Sequence, residues 1–341
     1  MIYRNPGDQV VDDAAVKAFA NAYGERATSL PPVAIVIAAY NEEGAIGPVI
    51  RALPAEVCGL ATAAIVVADG CADDTVAEAA AAGAIVCDVP VNRGQGAALR
   101  LGYRLAREGN ASYIVTTDAD GQYNPAEMGT VLAPVVAGEA DFVTGSRRLG
   151  SQETRDMIRR TGVRFFASTI STLTGQKISD TTFGLRAMRA EVTGVVELSQ
   201  PQYQASELLI GVIMHGYKVA EVPATIHRRR VGESKKGQNP LYRLHLPGVN
   251  NLFYGLRFAR VAYGTWWRER QRISRDQRSA NSGSANSGSA NSGSAESSSG
   301  TARIGPVDSA ARANGSGPGS VEASASSAAA GAVPGDPAKR T

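Results

Sequence analysis

The chain has little cysteine, little histidine and no long apolar run. Its three cysteines in 341 residues, Cys58, Cys71 and Cys87, are an odd number in a long chain, which argues against a disulfide framework and points to a reducing compartment. The three histidines, His215, His227 and His245, lack metal-ligand spacing, and no chemistry is assigned to them. Nowhere do about 18 apolar residues follow one another, the length that a membrane-crossing helix needs. Met1 to Leu30 carries Asp8, Asp12 and Asp13 where a secretory leader needs a basic start and an apolar run. Neither export nor a transmembrane helix is expected, and any membrane contact is peripheral.

What is present is an ordinary core composition, 43% hydrophobic and 20% charged, with charge unevenly placed. Residues 1–227 hold 18 Lys/Arg against 25 Asp/Glu, a balance of −7; residues 228–278 hold 13 against 3, or +10; residues 279–341 hold 4 of each. The net charge of +3 is a cancellation between an acidic body and a basic exit. From Ser279 the sequence repeats Ser-Ala-Asn-Ser-Gly, a polar period with nothing to bury, read as a flexible tail. The expected divisions are an N-terminal extension (1–30), a main folded domain (31–240), a basic amphipathic helical region (241–275) and a disordered tail (276–341).

Between residues 33 and 145, short β-branched runs alternate with helical stretches, the pattern of an α/β protein with a doubly wound, mostly parallel sheet. Strands are expected at 33–39, 63–68, 85–87, 112–117 and 142–144, and helices at 45–53, 75–82 and 97–108. Asp73 and Asp74 are candidate caps of the helix at 75–82. In such sheets ligands sit beyond the C-terminal strand ends, and Glu42, Asp69, Asp118 and Asp120 fall there.

Asp118-Ala119-Asp120 places two carboxylates within reach of one hard cation, with Gln122 as a neutral oxygen donor; the competing reading is a solvated turn capping the next helix. Asp69 suits a nucleobase N–H of uracil or guanine, or is a turn residue. Gly94-Gln95-Gly96 at a helix start brings backbone N–H groups towards an anion, or Arg93-Gly94 forms a simple turn.

Seven ordered segments resemble the family 2 glycosyltransferases, nearest to the branch of dolichol-phosphate mannose synthase and bacterial polyprenyl-phosphate glycosyltransferases. They are Ile37 to Glu42, Asp69 to Thr75, Asn92 to Gly96, Asp118 to Gln122, Gly145 to Arg147, Asp180 to Arg186 and Arg229 to Lys235. The resemblance implies a GT-A fold, a GDP- or UDP-linked sugar donor, a Mg²⁺ or Mn²⁺ ion and inverting transfer. It assigns Tyr40, Glu42 and Asp69 to the nucleoside, with Arg93 and Gly94 beside it, and Asp118, Asp120 and Gln122 to the metal and diphosphate, Asp120 also counting as catalytic. Arg229 and Lys235 match a basic pair on the donor phosphates, and Arg147, helped by Arg155, Arg159 or Arg160, matches a residue near an acceptor phosphate. Two positions depart from the family: Ala38 replaces a proline, and Ala68-Asp69-Gly70-Cys71 replaces Asp-Asp-Gly-Ser. The second departure removes polar groups near the base and leaves the nucleotide open.

Asp180 is a general base only if the acceptor is a hydroxyl; a lipid phosphate is already anionic and needs none. With a phosphate acceptor Asp180 is structural, orienting Arg186 or a helix terminus. Glu207 is expected at the surface rather than facing the sugar. The basic run Arg228 to Lys236 reads as a lid over phosphates or as solvated charge. Residues 241–275 interleave Tyr263, Trp266 and Trp267 with arginines, as interfacial helices on anionic membranes do, or form a terminal helix packed on the core.

The function expected is inverting transfer of mannose, glucose or N-acetylhexosamine from a nucleotide sugar to polyprenyl phosphate. The enzyme is expected to be peripheral on the cytoplasmic face of the membrane. A hydroxyl acceptor and sugar-1-phosphate nucleotidyl transfer are the alternatives. No nucleic-acid partner is expected, and homo-oligomerisation is open.

Overall fold

β1 (Val33–Ala39) shows why the centre of this protein is a sheet covered on both faces: Val33 to Ile37 have no exposed surface. Ala34 and Val36 join one apolar cluster with Val67, Leu101 and Ile114, while Val33, Ile35 and Ile37 join a second with Val66, Val115 and Phe183. Each such valine or isoleucine contributes about 1.5–3 kcal/mol by leaving water.

The computed structural model describes residues 5–152, 157–200, 203–228 and 247–289. Before β1 lie α1 (Pro6–Tyr23) and α2 (Glu25–Thr28); after it come α3 (Ile46–Arg51), β2 (Glu56–Val57), β3 (Leu60–Asp69), α4 (Thr75–Ala81), β4 (Ile85–Val89), α5 (Gln95–Glu108) and β5 (Tyr113–Asp118). A short 3-10 turn (Pro125–Glu127) leads into α6 (Met128–Val136) and β6 (Phe142–Gln152). Then follow α7 (Met157–Thr174), β7 (Arg186–Arg189), α8 (Val192–Val195), α9 (Gln204–Met214), β8 (Val219–Ile226) and α10 (Pro247–Ser289).

The strands form one sheet in the order β2-β3-β1-β5-β7-β6-β8, with β4 also pairing β3. β1 runs parallel to β3 and β5, β3 to β4, and β6 to β8; β7 is antiparallel to β5 and β6, and β2 to β3. Register assembles the site. Ala39 pairs with Ala68, Ala38 with Asp118 and Asp69 with Val89, so three strands end together. Because β7 is reversed, its first residue, Arg186, pairs with Thr116 and Thr144, and β6 delivers Ser146 and Arg147 to the same edge.

Two regions differ from expectation. Residues 5–30 are more than an extension. Asn5 accepts a hydrogen bond from the Gly7 N–H and Pro6 opens α1, a favoured helix start. Asp12, Ala15 and Phe19 form its buried stripe. α1 lies against β4, where the Tyr23 hydroxyl accepts from the Val86 N–H at 3.0 Å and so occupies an otherwise open strand edge.

At the other end α10 continues to Ser289, past the expected boundary at 275 and into the Ser/Ala/Asn/Gly repeats. Its packed part, with Phe258, Ala262, Thr265 and Glu269 buried, supplies the costly nucleus, after which each added residue gains one hydrogen bond. The chain divides into a unit of residues 1–286 and a unit of residues 287–341, and only residues 287–289 of the second are described.

Candidate active site

The loops after β1 and β3 are tied to one another. The Ala72 N–H donates to Asn41 Oδ1 at 2.7 Å, and the Glu42 N–H donates to Thr75 Oγ1 at 2.8 Å. Of the two expected caps of α4, Asp73 makes the bonds, accepting from the N–H and hydroxyl of Thr75; Asp74 holds the cap position without a side-chain bond. Cys71, which stands where the family pattern has serine, accepts from the Asn41 N–H at 3.4 Å and lies 3.7 Å from the Ala39 carbonyl. The thiol joins the two loops. Beside them the Tyr40 side chain stands exposed at the end of β1.

Asp69 is buried, and its Oδ2 accepts from the N–H groups of Arg93 and Gly94, both at 2.7 Å. The anion expected at this helix start is therefore the protein's own carboxylate. Burial pushes the Asp69 pKa up, and the two N–H groups and the Arg93 charge oppose the shift. Oδ1 is buried without a hydrogen-bond partner among the described residues, leaving one acceptor for a ligand. Gly70 makes the turn possible: its φ is +72°, and a Cβ there would lie 2.3 Å from the Asn92 nitrogen. The Arg93 guanidinium, expected at the donor, turns instead to α1 and pairs with Asp12 at 2.7 Å.

Asp118 ends β5 and Asp120 is buried two residues on. Gln95 Nε2 donates to Asp118 Oδ1 at 3.2 Å, and Asp120 Oδ1 accepts from the Gln122 N–H at 3.1 Å. Gln122 Nε2 donates to the His227 carbonyl, and the His227 N–H donates to the Gln122 carbonyl. This paired contact ties the end of β8 to the carboxylate turn, a role for His227 that histidine spacing does not signal. Among the described residues no three His, Cys, Asp or Glu side chains form a metal cluster. Asp118, Asp120 and Gln122 would offer two carboxylates and an amide whose nitrogen is committed, leaving its oxygen; hard oxygens of this kind fit Mg²⁺ or Mn²⁺ on a diphosphate. Gly184 runs beside them, and a Cβ there would lie 2.9 Å from Asp118 Oδ2 and from the Tyr123 hydroxyl.

On the far side of the site Arg147, buried, is gripped by Asp180, which has no exposed surface. Asp180 Oδ2 accepts from Arg147 Nε at 2.6 Å and from its N–H at 3.3 Å; Oδ1 accepts from Arg147 Nη2 at 3.5 Å and from the Thr182 N–H and hydroxyl at 3.1 and 3.3 Å. Asp180 thus orients Arg147, whereas the sequence suggested Arg186 or a helix terminus. Arg186 is buried, its Nη2 donates to the Thr181 carbonyl at 3.5 Å, and burial lowers its pKa against the pull of Tyr103, Tyr123, Asp118 and Asp180. Arg147 Nη1 has no partner among the described residues. The two sides meet at an aromatic pair: the Arg147 guanidinium lies 5.6 Å over the Phe183 ring, which packs 4.9 Å from Tyr123, and burial pushes the Tyr123 pKa up.

Glu221 holds the 179–182 loop. It accepts from the N–H groups of Ser179 and Asp180, both at 2.8 Å, and from the Ser179 hydroxyl at 3.0 Å. Sequence reasoning missed it; the signal was a carboxylate inside the apolar run Val219–Ile226.

Glu207, expected at the surface, is buried. It accepts from the N–H groups of Ser199 and Gln200 and pairs with Arg268 at 3.3 Å, so it fixes α10 on α9. Arg155, Arg229 and Lys235 lie outside the described residues, as do the side chains of Arg159 and Arg160.

A curled, mostly parallel α/β sheet with carboxylates at its strand ends is the architecture of the GT-A fold. The pattern of glycosyl transferase family 2 matches residues 34–195. A dolichyl-phosphate hexose transferase of Haloferax volcanii is 36% identical over 203 residues, covering 60% of this chain and 86% of that one. A polyprenol monophosphomannose synthase of Mycolicibacterium smegmatis is 36% identical over 148 residues, covering 42% and 56%. Glucosyl-3-phosphoglycerate synthase of Mycobacterium tuberculosis, solved with Mn²⁺, UDP and phosphoglyceric acid, superposes with a TM-score of 0.52 at 21% identity over 74% of this chain and 82% of that one; that likeness concerns the fold. The chain belongs to glycosyl transferase family 2 and is a glycosyltransferase.

Proposed function

We propose that the enzyme transfers a hexose or N-acetylhexosamine, with inversion, from a GDP- or UDP-linked donor to a polyprenyl phosphate. The observation that carries this reading is Arg147, a buried guanidinium held along one edge by Asp180 with Nη1 left unpartnered. An unsatisfied charged donor in such a place fits an anionic acceptor group. The carboxylate that a hydroxyl acceptor would need as a base accepts five hydrogen bonds, whereas a phosphate attacks without one. Two relatives are named for lipid-phosphate acceptors, which supports the same class.

Tyr40, Glu42 and the open oxygen of Asp69 take the nucleoside. Asp118, Asp120 and Gln122 would hold Mg²⁺ or Mn²⁺, which when bound neutralises charge on the departing diphosphate. Arg229 and Lys235, with Arg155 and Arg159 as helpers of Arg147, complete the phosphate contacts in this reading. Preorganised charge of this type is the usual dominant contribution to such transfers.

Membrane contact is assigned to α10. No helix among the described residues is long and apolar enough to cross a membrane. Leu256, Arg260, Tyr263, Trp267 and Arg270 recur at helical spacing on its exposed face, opposite buried Phe258, Ala262, Thr265 and Glu269. Aromatic rings among arginines suit the cytoplasmic face of an anionic leaflet.

The test is a panel of labelled nucleotide sugars incubated with polyprenyl phosphate. Label entering the lipid phase with one donor is expected; label appearing only in water-soluble products overturns the acceptor assignment.

A further inference from the structure

Asp12 lies in α1, outside the segment that the family pattern matches, yet its carboxylate has no exposed surface and engages two guanidinium groups. Oδ1 accepts from Arg93 Nη1 at 2.7 Å and Oδ2 from Arg100 Nε at 3.1 Å. The Asp8 carbonyl also accepts from Arg93 Nη1, at 3.5 Å. One end of Arg93 is therefore anchored on the N-terminal helix. Its other end faces the nucleotide site: Nε lies 3.8 Å from Asp69 Oδ1, too far for a hydrogen bond. Both of those atoms are buried and have no hydrogen-bond partner among the described residues.

Each of these atoms lacks a hydrogen bond, which is costly in the interior, and their opposite charges attract, so Arg93 is drawn to close the gap. The bonds to α1 are what hold it back. We infer that Asp12 is a positioning residue for nucleotide recognition: by drawing Arg93 towards α1 it keeps Asp69 Oδ1 open for the N–H of a nucleobase. The same anchoring fixes the backbone of residues 92–95, whose Arg93 and Gly94 N–H groups hold Asp69 Oδ2 and whose Gln95 reaches Asp118. The N-terminal helix is then a working part of the donor site as well as the cover of an edge strand. This inference rests on the assignment of Asp69 to the nucleoside made above.

Without Asp12 the guanidinium swings onto Asp69 and occupies the oxygen that the base requires. In Asp12→Asn, UDP and GDP binding measured by calorimetry should weaken about tenfold, the factor that one hydrogen bond to a charged group carries. The donor KM should rise in step while kcat holds. Asp13→Asn, which breaks only the exposed Asp13–Arg104 pair, serves as the control for attachment of α1.

The double variant Asp12→Asn/Arg93→Gln should regain nucleotide affinity over Asp12→Asn, because no guanidinium remains to cover Asp69; a merely structural Asp12 gives no such rescue. In the wild-type chain, linkage requires the reciprocal effect: nucleotide should slow amide exchange in residues 8–19 of α1. Wild-type binding with unchanged affinity in Asp12→Asn, absence of rescue in the double variant, or α1 exchange indifferent to nucleotide overturns the inference and leaves the function standing. A wild-type chain that binds neither UDP nor GDP overturns the function itself, and the inference with it.

Discussion

The two sides of the site are built by different means. On the side proposed for the donor, carboxylates are bound by backbone N–H groups of neighbouring loops: Asp69 by Arg93 and Gly94, Asp73 by Glu43, and Glu78 by Gly44 and Gly47. On the side proposed for the acceptor the central element is a buried ion pair, Arg147 with Asp180, held in turn by Glu221. Loop-to-loop bonds distribute the work over many atoms. A buried ion pair concentrates it, since removing one partner strands the other charge in the interior. The loops on the proposed donor side should therefore tolerate single changes better than the Arg147–Asp180 pair does; the buried Asp12–Arg93–Arg100 cluster behind them is the exception.

The largest effect expected on catalysis is at the shared centre. Asp118→Asn or Asp120→Asn should lower turnover about a thousandfold or more, the scale on which metal-assisted charge neutralisation acts; near-normal rates from purified, folded variants contradict the metal assignment. On the acceptor side, Arg147→Ala should lower kcat/KM for the lipid by about a hundredfold while the donor KM stays within about twofold, as loss of a buried charged contact predicts. An equal rise in both KM values dissolves the distinction between the two sides. Asp180→Ala should destabilise the fold by roughly 3–5 kcal/mol, the cost of stranding a buried partner, measured by denaturant unfolding.

That contrast also explains what was legible in the sequence. The strands expected to end at residues 39, 68 and 117 end at Ala39, Asp69 and Asp118; these strands and the Asp73 bonds at the start of α4 follow from β-branched runs bounded by Gly, Asn and Asp, and the register that gathers them is the ordinary consequence of parallel pairing. The link between Asp180 and Arg147 spans 33 residues and depends on β7 running antiparallel, which the four residues Arg186–Arg189 hardly advertise. Glu207 looked exposed because Ser199 and Gln200 reach it through the turn before α9, and Arg268 reaches it from α10, 61 residues away. Asp12 looked like part of an N-terminal extension without a role in the site because its partners lie 81 and 88 residues away.

Smaller effects sharpen the boundary. Gly184→Ala pushes a Cβ against Asp118 Oδ2 and Tyr123, and should cost about 1–3 kcal/mol in stability or an equivalent loss of rate, as overpacking does. Combined Tyr263→Ala and Trp267→Ala should reduce partition onto anionic vesicles about tenfold, leaving the donor KM unchanged, since the lost area is apolar and distant from the nucleotide loops; full vesicle binding removes α10 from the account. The smallest effect concerns pH. Burial first, and then the Asp180 charge, raises the Glu221 pKa. Its contribution to stability is complete below the ordinary carboxylate value of about 4.3 and declines as pH climbs through the raised value. Glu221→Gln should flatten that part of the melting-temperature profile, and an unchanged slope shows that another group titrates.

The central claim is that the acceptor is a phosphate held by Arg147, and the bond in the product tests it most directly. Phosphorus NMR of the purified lipid product should show a sugar phosphodiester, with proton couplings reporting an anomeric configuration opposite to that of the donor. A glycoside joined through a carbon-borne hydroxyl, with the lipid phosphate still a monoester, would contradict it.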